Sequence, residues 1–213
     1  MEFLRYGENG IRVVFGKTID PNINSKVINF YLLLRAKKPE GITNVIPSFN
    51  TCLLEFDDTR TRFEDIISTL NSMEDESFAP QESAFRIHEI PVRYGGDFGP
   101  DIGFVCGYTG LSEKEVIEIH TSVTYTVYTI GFIPGFPYLG AVDKRLFVPR
   151  LESPRTHVPA GSVGLAQLQT GIYTFESPGG WQIIGRTHMK LFDYSNPPYS
   201  TLQVGDKVRF VPV

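Results

Sequence analysis

The chain has 213 residues, of which 41% are hydrophobic and 21% charged, and its formal net charge is −4 at pH 7. These values are typical of a globular protein of one or two domains, and the lack of dense lysine and arginine clusters argues against nucleic-acid binding. The longest apolar runs fall far short of the ~20 residues that a membrane-spanning helix needs. The first residues lack a secretory signal pattern, and the cysteines, Cys52 and Cys106, form no disulfide framework or metal motif. The sequence therefore predicts a cytoplasmic protein with buried free thiols.

The first ninety residues alternate between strand and helix patterns. Residues 11–15 form the first predicted strand, and Asp20 followed by Pro21 is typical of a helix start. Two short strands are predicted over 44–49 and 52–56.

Thr61 and Glu64 have the spacing of a capping box at the start of a second helix, and an acidic loop is predicted over 73–83. A strand over 86–92 would complete the order βαββαβ. This order predicts an N-terminal ferredoxin-like domain over residues 1–85, although the last strand could belong to the next domain.

The remainder, residues 86–213, is predicted to be a β-barrel domain, which makes the chain an α+β protein. A helix is predicted near 101–107, and Ser112 with Glu115 forms a second capping-box pattern. A strand over 124–130 precedes many short strands bounded by glycine and proline. Of the 20 glycines and 15 prolines of the chain, 15 lie in the segment 131–187. This spacing favours a barrel or sandwich with shaped loops.

Several common catalytic motifs are absent. Gly16-Lys17-Thr18 lacks the glycine that a phosphate-binding P-loop requires at position 11, and no dinucleotide-binding fingerprint follows a strand. The four histidines have no metal-ligand spacing, and the sequence around Ser162 is not a nucleophile elbow. The sequence therefore predicts no metal site and no standard nucleotide loop.

Several other residues could support chemistry. His120 ends the capped helix and is either a structural histidine bonded to a carbonyl or a general acid or base. Arg150, Arg155 and Arg186 each follow proline or glycine. Guanidinium groups on fixed turns bind carboxylate or phosphate, although each arginine could also be a solvated surface residue.

The segment 177–181, Ser-Pro-Gly-Gly-Trp, could form a nest of backbone N–H groups around an anion, or a tight turn with Trp181 in the barrel core. With nearby hydroxyl and amide groups, a polar pocket for a small acid is predicted. The candidate binding residues are Arg150, Ser162, Gln169, Thr170, Ser177, Gly179, Gly180, Trp181 and Arg186.

The motifs resemble those of the allophanate hydrolase subunit 1 / KipI family. The matching segments are GFIPGFPYLG (131–140), PRLESPRTHVPAGSVG (149–164), QTGIY (169–173) and SPGGWQIIGRT (177–187). The resemblance implies an N-terminal ferredoxin-like domain and a C-terminal cyclophilin-like barrel. Many bacterial members are identified as the B subunit of an ATP-dependent 5-oxoprolinase. They work with a sister C subunit, which is of the KipA type, and with an A subunit.

This resemblance implies a chain that is inactive alone and acts in a complex that uses ATP with magnesium. In that interpretation His120 and Arg155 are the catalytic candidates, and Phe132, Phe136 and Tyr138 form a partner-binding surface. A competing interpretation is a KipI-like regulator that binds and inhibits a histidine kinase. Another alternative is an accessory subunit of the allophanate hydrolase or urea carboxylase type, because related chains occur in urea carboxylase and urea amidolyase. A prolyl isomerase, suggested by barrel analogy alone, is the last alternative.

Overall fold

The computed structural model describes residues 1–73 and 85–213, so the predicted acidic loop lies almost entirely outside the described residues. The chain divides into two compact units, Met1–Ala84 and Phe85–Val213. No helix in the described ranges is long and apolar enough to cross a membrane. Within the same ranges, no group of three or more His, Cys, Asp or Glu side chains could hold a metal ion.

The N-terminal unit is an antiparallel sheet with two helices. Its strands are β1 (Glu2–Tyr6), β2 (Gly10–Val14), β3 (Ile42–Pro47) and β4 (Thr51–Phe56), and its helices are α1 (Pro21–Lys37) and α2 (Phe63–Ser72). The sheet order is β1-β2-β4-β3. Alternate strand residues and one face of each helix bury a core that includes Val13, Phe30, Leu54 and Leu70.

The predicted order βαββαβ is wrong in its last strand. The fourth strand of this sheet is β1, which lies beside β2, whereas the strand predicted over 86–92 belongs to the barrel of the C-terminal unit. The physical reason is that this later strand pairs with a strand some 120 residues further along the chain. Local sequence carries no signal for such a partner.

The C-terminal unit contains the remaining elements. Its helices are α3 (Ile102–Thr109) and α4 (Glu113–Ser122), with short 3-10 helices at Gly96–Phe98 and Lys144–Leu146. Its strands are β5 (Ile87–Tyr94), β6 (Thr124–Ile130), β7 (Pro137–Gly140), β8 (Arg155–Val158), β9 (Ser162–Ala166), β10 (Gln169–Ile172), β11 (Ser177–Gly179), β12 (Gln182–Arg186) and β13 (Lys207–Pro212).

Seven strands of the described C-terminal unit close into a barrel in the order β10-β7-β6-β13-β5-β12-β9. Its pairs are antiparallel except β13 and β5, which run parallel. Strand β8 pairs with β11 in a separate two-stranded sheet. The barrel interior is filled by side chains such as Val127, Leu165, Ile172 and Phe210.

Local capping signals account for the starts of two helices. Asp20 caps α1 by accepting hydrogen bonds from the backbone N–H groups of Asn22 and Ile23. Ser112 and Glu115 form the predicted capping box of α4. The box predicted for α2 is wrong, because α2 begins at Phe63 and Thr61 instead lies in a turn where its N–H donates to the Asp57 carbonyl.

Candidate functional site

A pocket of about 320 Å³ is lined by residues of β7, β11 and the neighbouring loops, and it adjoins an aromatic cluster that is separate from the main barrel core. Its volume is at the lower end of the range for small-molecule sites. The pocket brings together all four segments that the sequence analysis singled out, 131–140, 149–164, 169–173 and 177–187. Its lining residues are Phe132, Phe136, Tyr138, Arg150, Leu151, Pro154, Tyr173, Pro178, Gly179, Gly180 and Trp181.

Phe136 is the centre of the pocket's aromatic cluster. Its ring centroid lies 4.8 Å from that of Tyr138, 5.1 Å from that of Tyr173 and 5.5 Å from that of Trp181. The rings meet edge to face, which is the favoured geometry for aromatic pairs. Phe136 is 1% exposed and Phe132 is 60% exposed. The partner-binding role predicted for Phe136 is therefore corrected: Phe136 anchors the cluster, and Phe132 presents the accessible ring.

Glycines let these rings lie directly on the strands. A Cβ added to Gly171 would lie 2.8 Å from the Phe136 ring and 2.9 Å from the Pro137 carbonyl oxygen. A Cβ added to Gly179 would collide with the Tyr173 hydroxyl. The aromatic cluster therefore depends on the missing side chains.

We expect Gly171→Ala to lower the free energy of unfolding by about 1 to 3 kcal/mol, because the new methyl group overpacks the cluster. Denaturant unfolding followed by the fluorescence of Trp181, the chain's one tryptophan, measures the change in the barrel unit. Gly103→Ala is the matched control, since that glycine lies in α3 with nothing within 4 Å of an added Cβ. This variant should be neutral or stabilising. Equal stability of the two variants would contradict the packing argument.

Arg150 supplies positive charge at the pocket. Its guanidinium carbon lies 6.0 Å from the Trp181 ring centroid, within the range of a cation–π contact. Among the described residues no carboxylate pairs with it. Burial raises the pKa of Tyr138, and Arg150 offsets this in part. Burial also raises the pKa of Tyr173, where a hydrogen bond with the Trp181 backbone is the main offsetting effect, so both phenols stay protonated at neutral pH. The pocket thus combines apolar walls, hydroxyl groups and one unpaired cation.

Arg155 forms an ion pair with Asp101 beneath the pocket. Its guanidinium also donates to the Trp181 carbonyl at 3.3 Å. The second carboxylate oxygen of Asp101 accepts from the Ile183 N–H at 2.6 Å. Because its charge is already paired, Arg155 holds the backbone of Trp181 in place and does not offer a free cation to a ligand.

His120 lies in the barrel core and is not at the pocket. Its ring is stacked on Phe210 with the centroids 4.6 Å apart, and the residue is 0% exposed. Nδ1 lies 2.8 Å from the Tyr94 hydroxyl, and Nε2 lies 2.9 Å from the Thr170 hydroxyl. The Thr170 hydroxyl donates to the Gly164 carbonyl, which assigns the hydrogen to Nε2 and makes Tyr94 the donor to Nδ1.

Burial lowers the pKa of His120 to about 3 and raises that of Tyr94, so this chain of hydrogen bonds is neutral at pH 7. This geometry does not support the predicted proton-transfer role of His120. It supports the structural alternative, although the His120 ring bonds to two hydroxyl groups and not to a carbonyl as predicted. Thr170 belongs to the same core network, which corrects its assignment as a binding residue.

The other predicted site residues lie apart from the pocket lining. Ser162, Gln169 and Ser177 each have a buried polar side-chain atom with no hydrogen-bond partner among the described residues. The predicted Gly179-Gly180 nest is absent, because neither glycine has a positive φ and Gly179 lies in β11. The role of the two glycines is to leave room for the pocket.

Arg186 lies across a strand pair from Arg93, and its guanidinium is over Phe98. It is therefore not part of the pocket, although Arg150 is. The sequence reasoning missed Tyr173, Leu151, Pro154 and Asp101. Tyr173 ends the segment QTGIY (169–173), but only the structure shows that its ring contacts Phe136 in the aromatic cluster.

These features define a mixed α+β protein with a ligand-sized aromatic pocket on the outside of a closed barrel. A family model described as "Carboxyltransferase domain, subdomain C and D" matches residues 1–202, and the chain belongs to this family.

Related proteins can be aligned with most of this chain. The chain is 39% identical to the B subunit of 5-oxoprolinase from Bacillus subtilis, over 97% of this chain and 90% of that protein. It is 45% identical to the B subunit of 5-oxoprolinase from Escherichia coli O157:H7, over 81% of this chain and 78% of that protein.

Solved structures share the fold. TTHA0988 is 33% identical with a TM-score of 0.84, and the match covers 96% of this chain but 39% of that one. The conserved uncharacterized protein PH0987 from Pyrococcus horikoshii is 42% identical with a TM-score of 0.60, covering 100% and 97%. The urea amidolyase of K. lactis, at 21% identity and a TM-score of 0.78, shows the fold alone, and the chain spans 15% of it.

Proposed function

We propose that the chain is the B subunit of a multi-subunit, ATP-dependent 5-oxoprolinase that hydrolyses 5-oxo-L-proline to L-glutamate. The observation that carries this proposal is the sequence identity to two 5-oxoprolinase B subunits, over 97% and 81% of this chain. The chain works with a sister C subunit of the KipA type and with an A subunit, and it is inactive alone.

The aromatic pocket is the proposed site for the lactam. 5-Oxoproline has a flat five-membered ring with a carboxylate. The faces of Tyr138 and Trp181 suit the ring, and the Arg150 guanidinium suits the carboxylate. The protonated phenols of Tyr138 and Tyr173 supply donors for the lactam oxygen.

The reaction needs energy because the lactam is stabilised by amide resonance. Transfer of the γ-phosphoryl group of ATP to the lactam oxygen would release ADP and leave an activated carbon. Water then attacks this carbon and the ring C–N bond breaks, which frees the amino group and gives γ-glutamyl phosphate. A second water hydrolyses this acyl phosphate, and the products are glutamate and inorganic phosphate. The proposed contribution of this chain is to bind and orient the lactam. ATP with magnesium is used by the complex and is not held by a P-loop in this chain.

Phe132 is the proposed contact with the sister C subunit. Its ring is 60% exposed at the rim of the pocket, and large exposed aromatics are typical anchors of interfaces. A partner bound there would also cover the pocket and exclude water. The competing function, inhibition of a histidine kinase, would use the same surface. The free thiols of Cys52 and Cys106 are consistent with the proposed cytoplasmic location.

The test is ATP-dependent 5-oxoproline consumption by the purified chain combined with the C and A subunits. Omitting the chain should abolish turnover. Arg150→Gln should raise the KM for 5-oxoproline about ten- to a hundredfold, the value of a lost hydrogen bond to a charged group. Arg12→Gln removes the same charge from an exposed position in β2 and should leave KM unchanged. Full turnover without the chain would overturn the proposal and favour kinase inhibition.

A further inference from the structure

Two arginines face each other on neighbouring strands of the barrel. Arg93 in β5 and Arg186 in β12 are directly opposite in the antiparallel register. Like charges in this position destabilise a sheet, because the Cβ atoms of such pairs lie only ~5 Å apart. The fold therefore keeps two positive charges at a pair of positions where a single charge, or none, would make the sheet more stable.

Both guanidinium groups converge on one ring. The guanidinium carbons of Arg93 and Arg186 lie 5.4 Å and 5.8 Å from the centroid of Phe98. The ring of His188 approaches the same phenylalanine, with the centroids 6.3 Å apart. A cation–π contact stabilises an arginine but does not neutralise its charge.

No carboxylate among the described residues compensates these charges. Neither arginine forms an ion pair or a hydrogen bond with a side chain in the described ranges, and Nε of Arg186 is buried without a partner there. Asp97 is adjacent to Phe98 in the chain but is exposed and makes no described contact with either guanidinium. This pattern contrasts with Arg155, which has both Asp101 and a carbonyl.

We infer that Arg93, Arg186 and His188 form a binding site for a phosphate-class oxyanion, distinct from the aromatic pocket. Two guanidinium forks and an imidazole provide more donors than a single carboxylate uses, whereas a phosphate accepts hydrogen bonds from three directions with up to two negative charges. Phe98 acts as the spacer that fixes both arginines. This inference does not depend on the proposed 5-oxoprolinase activity.

The experiment measures thermal stability and binding of the full chain with inorganic phosphate, at ionic strength matched by sodium chloride. Phosphate should raise the Tm of the wild-type protein in a saturable way. Arg93→Gln and Arg186→Gln should each weaken phosphate binding at least tenfold. The same variants should match or exceed the wild-type Tm in chloride, because the like-charge repulsion is gone. Arg12→Gln, with the same change in net charge, should behave as wild type.

Further measurements, with other anions and with a lysine variant, distinguish a phosphate site from a general anion site or a structural arginine pair. Pyrophosphate should bind as phosphate does, while acetate and glutamate at equal ionic strength should not. Arg186→Lys, which keeps the charge but loses the planar fork, should bind more weakly than wild type and more tightly than Arg186→Gln. If both glutamine variants have a lower Tm than wild type in chloride but still show the rise in Tm with phosphate, the arginine pair has a purely structural role. That result, or the lack of saturable phosphate binding by the wild type, would overturn the inference.

Discussion

The C-terminal unit is expected to lose stability as the pH falls from about 6.5 to about 3, and His120 is the cause. Burial lowers the pKa of this histidine from 6.5 to about 3 in the folded protein. Between these values the unfolded chain binds a proton that the folded chain does not, so the free energy of unfolding decreases with decreasing pH. The slope from one such group is at most about 1.4 kcal/mol per pH unit.

The structural reason is the direction of the hydrogen bonds. A protonated ring would donate from Nδ1, where the Tyr94 hydroxyl already donates. Its charge would lie against the rings of Phe210 and Tyr125, and no carboxylate in the described part of the chain pairs with it. Below about pH 3 both states are protonated and this contribution to the slope ends.

Denaturant unfolding at a series of pH values, followed by Trp181 fluorescence, measures this slope. His120→Gln is the comparison, because its amide donates to Thr170 and accepts from Tyr94 yet does not titrate. The variant should be less stable at pH 7. The slope of its free energy of unfolding against pH should be smaller, by an amount that corresponds to the uptake of up to one proton on unfolding. The other histidines are the same in both proteins, so their contributions cancel. Identical slopes would show that His120 is not responsible.

Breaking the Asp101–Arg155 pair is expected to have the second large effect. Asp101→Ala removes the partner of Arg155 and also the acceptor of the Ile183 N–H. The Asp101 side chain is 11% exposed and that of Arg155 is 32% exposed. A fully buried pair costs several kcal/mol to break, and partial exposure of the arginine reduces this to about 2 to 3 kcal/mol.

The variants Asp101→Asn, Arg155→Gln and their combination form a double-mutant cycle for this pair. Asparagine keeps an acceptor for Ile183, so the cycle isolates the charge interaction from the backbone contact. The emission of Trp181 should shift toward the solvent-exposed wavelength in each single variant, because Arg155 holds the Trp181 carbonyl. Turnover of the assembled enzyme should fall in parallel. Stability losses that simply add would contradict a direct pair.

Local signals predicted the elements whose causes are local. Asp20 and Ser112 cap helices with their own side chains, so a few residues suffice to predict the helix starts. Thr61 shows the limit of this reasoning. Its N–H donates to the Asp57 carbonyl, so it is not used in the predicted capping box. The reassigned strand β5 depends on a partner about 120 residues away, which no local pattern identifies. The missed strand β1 is different, because it pairs with β2 across the short turn 7–9 and forms a local hairpin that the prediction overlooked.

The pocket could be predicted only in part, for a similar reason. Its segments are recognisable in the sequence, yet strand alternation decides which side chain reaches it. Gly171 faces the aromatic cluster, while Thr170, one residue earlier, points into the barrel toward His120. Arg150, Arg155 and Arg186 look equivalent in sequence. In the structure Arg150 lines the pocket, Arg155 pairs with a carboxylate, and Arg186 lies opposite a second arginine.

The parallel pairing of β5 and β13 sets the order in which the barrel can be completed during synthesis. Strand β5 leaves the ribosome long before β13, its neighbour on one side, has been translated. Until then β5 and β6 each present an unpaired edge, the kind of surface that recruits other chains into aggregates. A chain truncated before Lys207 would keep both edges open permanently. Its fate would then be decided by chaperones and proteases, because the barrel closes only with its last strand.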